Sequence, residues 1–291
     1  MTNKSHLHET DRPRTSGEPR PQIRDNGAVN AGKLHVVDDV SPADWIAPRL
    51  SGRFGAVGLT VPRGYPAYAR ICHPATNTAG EPVSWSEVAE ATGRRPHALM
   101  QWHAIVGSSD YLNMTGSLWD GANPCRGELA HSALSALCDR LAEDAEHEPD
   151  CYFCLWEGYG ELETYGWLKT TLAPNSKVTV RDRHIFTSDE LSRSRLHLPD
   201  RDYVILAGPL RNALRIGSFT VESFWPQSPN LFWPADRTWC VASEIDFDST
   251  LVGGPVRLVD AILHTPELDA WPVTADDSLA YDADEINQAH S

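Results

Sequence analysis

Between residues 34 and 273, segments of strand character outnumber those of helical character and do not alternate with them. A doubly wound sheet needs that alternation, because each parallel strand must be followed by a crossover connection, usually a helix. The sequence therefore predicts an α+β fold with a mainly antiparallel sheet and flanking helices, one globular domain over 34–273. The alternative is two lobes meeting near 146–150. Residues 1–33 are polar, rich in Pro, Gly and charge and without apolar periodicity, and read as a disordered arm. Residues 274–291 read as an acidic tail that frays.

Within the domain, Ser41-Pro42 announces a short helix ended by Gly52. Residues 56–61 and 67–72 read as strands separated by Pro62, Gly64 and Pro66. Ser84-Trp85-Ser86-Glu87 is a capping box opening a helix to about Thr92. ALMQWHAIV (98–106) reads as a strand. Apolar residues at 130, 133, 134, 137 and 141 recur at three and four and define a helix over 128–145. CYFCLWEGYG, 178–185 and 203–207 read as strands, with a charged loop before the last. FWPQSPNLFWPADRTW (224–239) mixes tryptophan with proline and reads as ordered but irregular chain. A strand over 239–247 and a helix over 256–264 close the domain.

Composition removes several functions. A net charge of −15 without a long basic run excludes a phosphate-backbone binder. No stretch has the roughly 20 apolar residues of a spanning helix and the N-terminus lacks a signal-peptide core, so a cytoplasmic protein with no membrane association is expected. Six cysteines are too few for a disulfide scaffold. Cys151 and Cys154 form a C-x-x-C without a second ligand pair, and residues three apart on a strand face opposite ways, so they read as core. His73 and His103, in apolar surroundings, read as hydrogen-bonded core histidines.

Near the end of the chain, EIDFDSTLVGG carries Asp246-Phe247-Asp248-Ser249-Thr250. This D-x-D-x-T string resembles the nucleophile motif of the haloacid dehalogenase phosphatases, which would make Asp246 the nucleophile and Asp248 the acid and base beside Mg²⁺. That chemistry also calls for a downstream lysine, and none follows Thr250. The acidic residues alternate with apolar ones, so Glu244, Asp246 and Asp248 read instead as the wet face of a half-buried strand. A divalent cation on these three carboxylates is the weaker reading, and no cofactor is expected.

CYFCLWEGYG and SPNLFWPADRTWCVASEIDFDSTLVGG are together similar to a family of proteins from high-GC actinobacteria without an assigned activity. Four lysines among 25 basic residues agree with such a source. The resemblance spans most of 50–272 and carries no catalytic residue with it. The expected function is a non-catalytic binding or protein-interaction module, in one version an immunity or antitoxin-like protein whose acidity meets a basic partner. Its surface would include Trp156, Tyr159, Trp225, Trp233, Asp236, Arg237, Glu244, Asp246 and Asp248, with the aromatic members able to stack on a sugar or peptide. The alternative is a metal-assisted hydrolase using the carboxylates at 244–248.

Overall fold

The computed structural model describes residues 33–110, 114–143, 147–160, 162–169, 182–199 and 201–287. In chain order they form β1 (His35–Val36), α1 (Val57–Thr60), β2 (Ala67–Cys72), β3 (Ala75–Thr76), β4 (Pro82–Val83), α2 (Trp85–Ala91), α3 (Trp102–Ile105), α4 (His131–Ala142) and β5 (Asp150–Trp156). There follow β6 (Tyr165–Leu168), β7 (Arg183–Ile185), α5 (Ser188–Leu191), β8 (Leu196–Leu198), β9 (Arg201–Pro209), β10 (Ile216–Phe219) and β11 (Phe224–Pro226). The last elements are β12 (Leu231–Pro234), β13 (Cys240–Ala242), β14 (Ser249–Gly254), α6 (Val256–Leu263) and β15 (Ala270–Val273).

The main sheet runs β1-β9-β5-β12-β13-β14-β2-β15, with β8 added beside β9, and every pairing is antiparallel. The fold is thus α+β with a mainly antiparallel sheet. Strands from both sides of 146–150 lie in this one sheet. A second antiparallel sheet runs β11-β10-β6-β7, and β3 pairs with β4 alone.

Both faces of the main sheet are covered, which is why its central strands are apolar at nearly every position. Along β5, Cys151, Phe153 and Leu155 join the core beneath α4 and α6, while Cys154 joins the core on the other face. In β9, Val204 and Leu206 take the helical face and Ile205 the other. Period-two projection therefore sends the two C-x-x-C sulfurs into different cores. Burial pushes both thiols upward, so they stay protonated hydrophobes. The second face is closed by Trp45, Ile46, Val57, Val61 and Leu279, from the N-terminal turns and the C-terminal segment. A third cluster gathers Trp85, Met100, Trp102 and Ile105 around α2 and α3. The capping box holds as read: Ser84 Oγ accepts from the Glu87 N–H, and Glu87 accepts from the Ser84 N–H at 2.8 Å.

Several elements differ from the sequence reading. The helix after Ser41-Pro42 is a pair of 3-10 turns, Ser41–Ala43 and Ala47–Arg49. The strand expected at 56–61 is the helical turn α1, because the N–H groups of Val57 and Gly58 donate to Asp277 and Ala275 carbonyls rather than to a neighbouring strand. The strand expected at 98–106 is replaced by the turn α3. The 224–239 stretch supplies β11 and β12, and β12 lies inside the sheet with Pro234 at its end, where a missing N–H costs least. The strand of 239–247 stops at Ala242, since pairing Ala242 with Leu251 turns 243–248 into the hairpin connection. Finally, 274–287 is a docked strap: Ser278 bridges Ala56, the Leu279 N–H donates to Gly55, and Asp284 and Asn287 are buried. Residues 1–32 of the expected arm and 178–181 of the strand expected at 178–185 lie outside the described residues, and the rest of that strand includes β7.

Candidate functional site

Antiparallel register places one group of chain segments at a single end of the main sheet. β5 finishes there at Trp156 beside Tyr203 of β9, Asn230 precedes β12, and the 243–248 turn joins β13 to β14. β2 ends there too, with Cys72 opposite Ser249. The 235–239 turn, which carries Asp236 and Arg237, belongs to the opposite end.

A buried polar network ties this end together. The ring of His73, 1% exposed, meets the Cys125 carbonyl at 2.7 Å through Nδ1 and Thr250 Oγ1 at 2.9 Å through Nε2. A carbonyl can only accept, so Nδ1 carries the proton and Nε2 is bare. Thr250 then donates to His73, and Ser243 Oγ donates to Thr250 at 2.7 Å. Burial drives the His73 pKa down to about 4, with the Cys125 contact opposing, so the ring is neutral near pH 7. Arg70, 1% exposed, donates to Ser249 Oγ and to the carbonyls of Ala98 and Met100, and stacks over Trp85. Its guanidinium reaches Asp248 at 3.8 Å. Gly127, at φ 70°, lets the Cys125–Arg126 loop press on the 243–248 turn. A Cβ there would sit 2.8 Å from Ile245 Cα.

Two adjoining cavities open above this network and share Phe54 and Phe247, whose rings meet edge to face at 6.4 Å. The first, about 280 Å³, has walls of Phe54, Trp102, Phe247 and Tyr281, with Gln101, His103, Arg126, Asp246 and Asp248 among them. The second, about 290 Å³, presents Arg201, Tyr203, Asn230, Ser243 and Glu244 between leucines. The strap contributes a wall through Leu279, Ala280 and Tyr281.

Asp248 is 18% exposed at its side chain. Burial raises its carboxyl pKa, and Arg70, Arg126 and His103 offset part of that rise. His103 is half-buried, and burial lowers its pKa while Asp248 and Asp284 oppose the shift. Among the described residues its ring makes no hydrogen bond, unlike the core histidine expected from the sequence. Arg201 bonds Glu244 at 2.8 Å and Asp246 at 3.0 Å and lies over the Trp156 ring. Burial works against its charge, but the two carboxylates outweigh it and raise its pKa.

The residues expected to form one surface are thus dispersed. Trp156, Glu244 and Asp246 converge on Arg201, and Asp248 lies further along the same turn. Tyr159 is half-buried, its hydroxyl accepting from Asn230 at 2.7 Å and Gln227 at 3.1 Å. Trp225, 62% exposed, sits on the edge strand of the second sheet. Trp233 is fully buried, stacked on Tyr152 and edge-on to Trp45, and belongs to no surface. Asp236 caps the Thr238 N–H and Arg237 covers Trp45 at the far end of the sheet. Among the described residues, no three His, Cys, Asp or Glu side chains are grouped so as to hold a metal ion, the 244–248 carboxylates included. Sequence reasoning missed Phe54, Arg126, Arg201 and Tyr281, and only Arg70, a charge inside the apolar run AYARIC, carried a signal.

Comparison with protein-family models, with curated proteins and with solved structures finds no match for this chain. No described helix is long and apolar enough to cross a membrane.

Proposed function

We propose that the protein binds a small organic cation, an amine on an apolar body, in the divided cleft at the end of the sheet. One observation carries the reading: Asp248 is recessed in a cavity that also presents the rings of Phe54, Trp102, Phe247 and Tyr281. A carboxylate and π faces together favour an ammonium group, and the apolar walls accept the rest of the ligand. A small ligand is preferred to a basic protein partner because Glu244 and Asp246 are engaged by Arg201, and the remaining carboxylate, Asp248, lies inside the cleft with Arg70 3.8 Å away.

Thermal shift with phenethylamine, and with 2-phenylethanol as its uncharged counterpart, tests this. The amine should raise the melting temperature and Asp248→Asn should abolish the rise. Equal shifts with both compounds, or an unaltered response in the variant, would sink it.

A second reading, acid–base catalysis on the bound molecule, is favoured by the unbonded His103 ring in the same cavity as Asp248. If the two form a working pair, Asp248→Asn lowers the His103 pKa measured by NMR. An unmoved His103 titration rules the pair out.

A further inference from the structure

Each of the cleft's two cavities holds a buried polar group without a partner. Gln101, 7% exposed, lines the first cavity from the start of α3, and its Nε2 donates to the Leu99 carbonyl at 3.3 Å, which leaves Oε1 as the free end. Tyr203 of β9, also 7% exposed, lines the second. Its hydroxyl makes no hydrogen bond among the described residues. Neither oxygen is sealed inside the protein, as the orphaned indole nitrogens of Trp45 and Trp233 are, so each is open to the cavity its residue lines.

The other polar side chains of the second cavity are engaged. Asn230 donates to the Tyr159 hydroxyl and the Ser243 carbonyl and accepts from the Trp156 N–H. Ser243 Oγ donates to Thr250, and the Thr60 hydroxyl donates to the Ala56 carbonyl. Arg201 is held by Glu244 and Asp246, so the cavity has no surplus positive charge to draw an anion. Burial, with the Glu244 charge adding to it, raises the Tyr203 pKa and keeps the phenol protonated, a donor rather than a base.

Among walls of Leu50, Leu59, Leu198 and Leu231, such a donor suits a neutral acceptor on an apolar chain. A carbonyl oxygen accepts the hydrogen bond without bringing a charge to bury. The first cavity offers the converse, since Gln101 Oε1 adds an acceptor to the Asp248 carboxylate and an ammonium group has several N–H bonds to give.

We infer that, given the amine reading of the first cavity, the second takes a neutral carbonyl group, held by the Tyr203 hydroxyl, at the far end of the same ligand.

Calorimetric titration of the full chain with N-(ω-aminoalkyl)acetamides of graded length tests this, against alkylamines of equal length and N-alkylacetamides, which lack the amine. The best-fitting aminoalkylacetamide should bind roughly two- to tenfold tighter than its alkylamine counterpart. Tyr203→Phe should erase that advantage. Because the lost hydroxyl has no partner to strand, this variant should melt no lower than the parent without ligand. An N-alkylacetamide bound by the parent and not by Tyr203→Phe, with no response to any amine, would uphold the carbonyl site and sink the amine reading. Alkylamines that bind as tightly as the aminoalkylacetamides at every length, or an advantage that survives Tyr203→Phe, would overturn the carbonyl site and leave the amine reading standing. Silence from all three series overturns both.

Discussion

Lowering the pH across the range in which a free histidine titrates should weaken this protein through His73. The ring is enclosed, is fixed in its Nδ1–H form by the Cys125 carbonyl, and accepts from Thr250. Protonation would need an N–H at Nε2, where a hydroxyl already donates, and would place a charge in the core. Its pKa accordingly falls from 6.5 to about 4. The unfolded chain takes up the proton first, so as pH drops below 6.5 the unfolded state is progressively favoured until the folded pKa is reached. Above pH 6.5 this contribution is fully present, and below about pH 4 no more is lost. A separation of about 2.5 units at 1.36 kcal/mol each corresponds to about 3 kcal/mol. The assay is urea unfolding at intervals between pH 7 and 4 for the parent and for His73→Gln. Carboxylates titrating in the same window contribute to both proteins, so the difference between the two curves isolates the ring. His73→Gln should start less stable and lose about 3 kcal/mol less over the window. Parallel curves would refute the argument, since they would mean that His73 titrates alike in both states.

Two further expectations concern parts of the chain where the sequence misled. Asp284 is fully buried and accepts from the N–H groups of Gln101, Ile286 and Asn287 and from His97 at 2.8 Å. Burial opposes its charge, but those donors prevail and hold its pKa below the ordinary value, so its contribution is present above that value and lost on acidification. Asp284→Ala should cost about 3–5 kcal/mol, or release the strap at lower cost, and amide exchange over 274–287 would report either. Unchanged protection would show that the strap is held by other contacts. Trp233→Ala should cost about 3–5 kcal/mol in chemical denaturation, whereas Trp225→Ala should stay within about 0.5 kcal/mol. Equal effects would contradict the placement of one in the core and the other on an edge.

Local signals settled what depended on neighbours in the chain. The capping box of α2, the three-and-four spacing of α4, Pro255 before α6 and the apolar runs of β2, β5 and β9 were legible because each reports a backbone preference or the burial of its own face. The antiparallel character of the sheet followed from the order of those elements. Register was not legible. The alternation in WCVASEIDFD looked like a strand with one wet face, but β14 pairs back along β13 and makes Glu244–Asp248 the turn between them. Similarly, 56–61 has strand-like residues and becomes a helical turn because the strap from 275–279 occupies its donors. Tryptophan also has no positional code: Trp233 and Trp225 stand in similar proline-flanked contexts, and only the sheet that each strand joins decides which is buried. The cleft was hidden for the same reason. Phe54, His103, Asp248 and Tyr281 lie on four separate segments, and what brings them together is the closing of the strap over one end of the sheet.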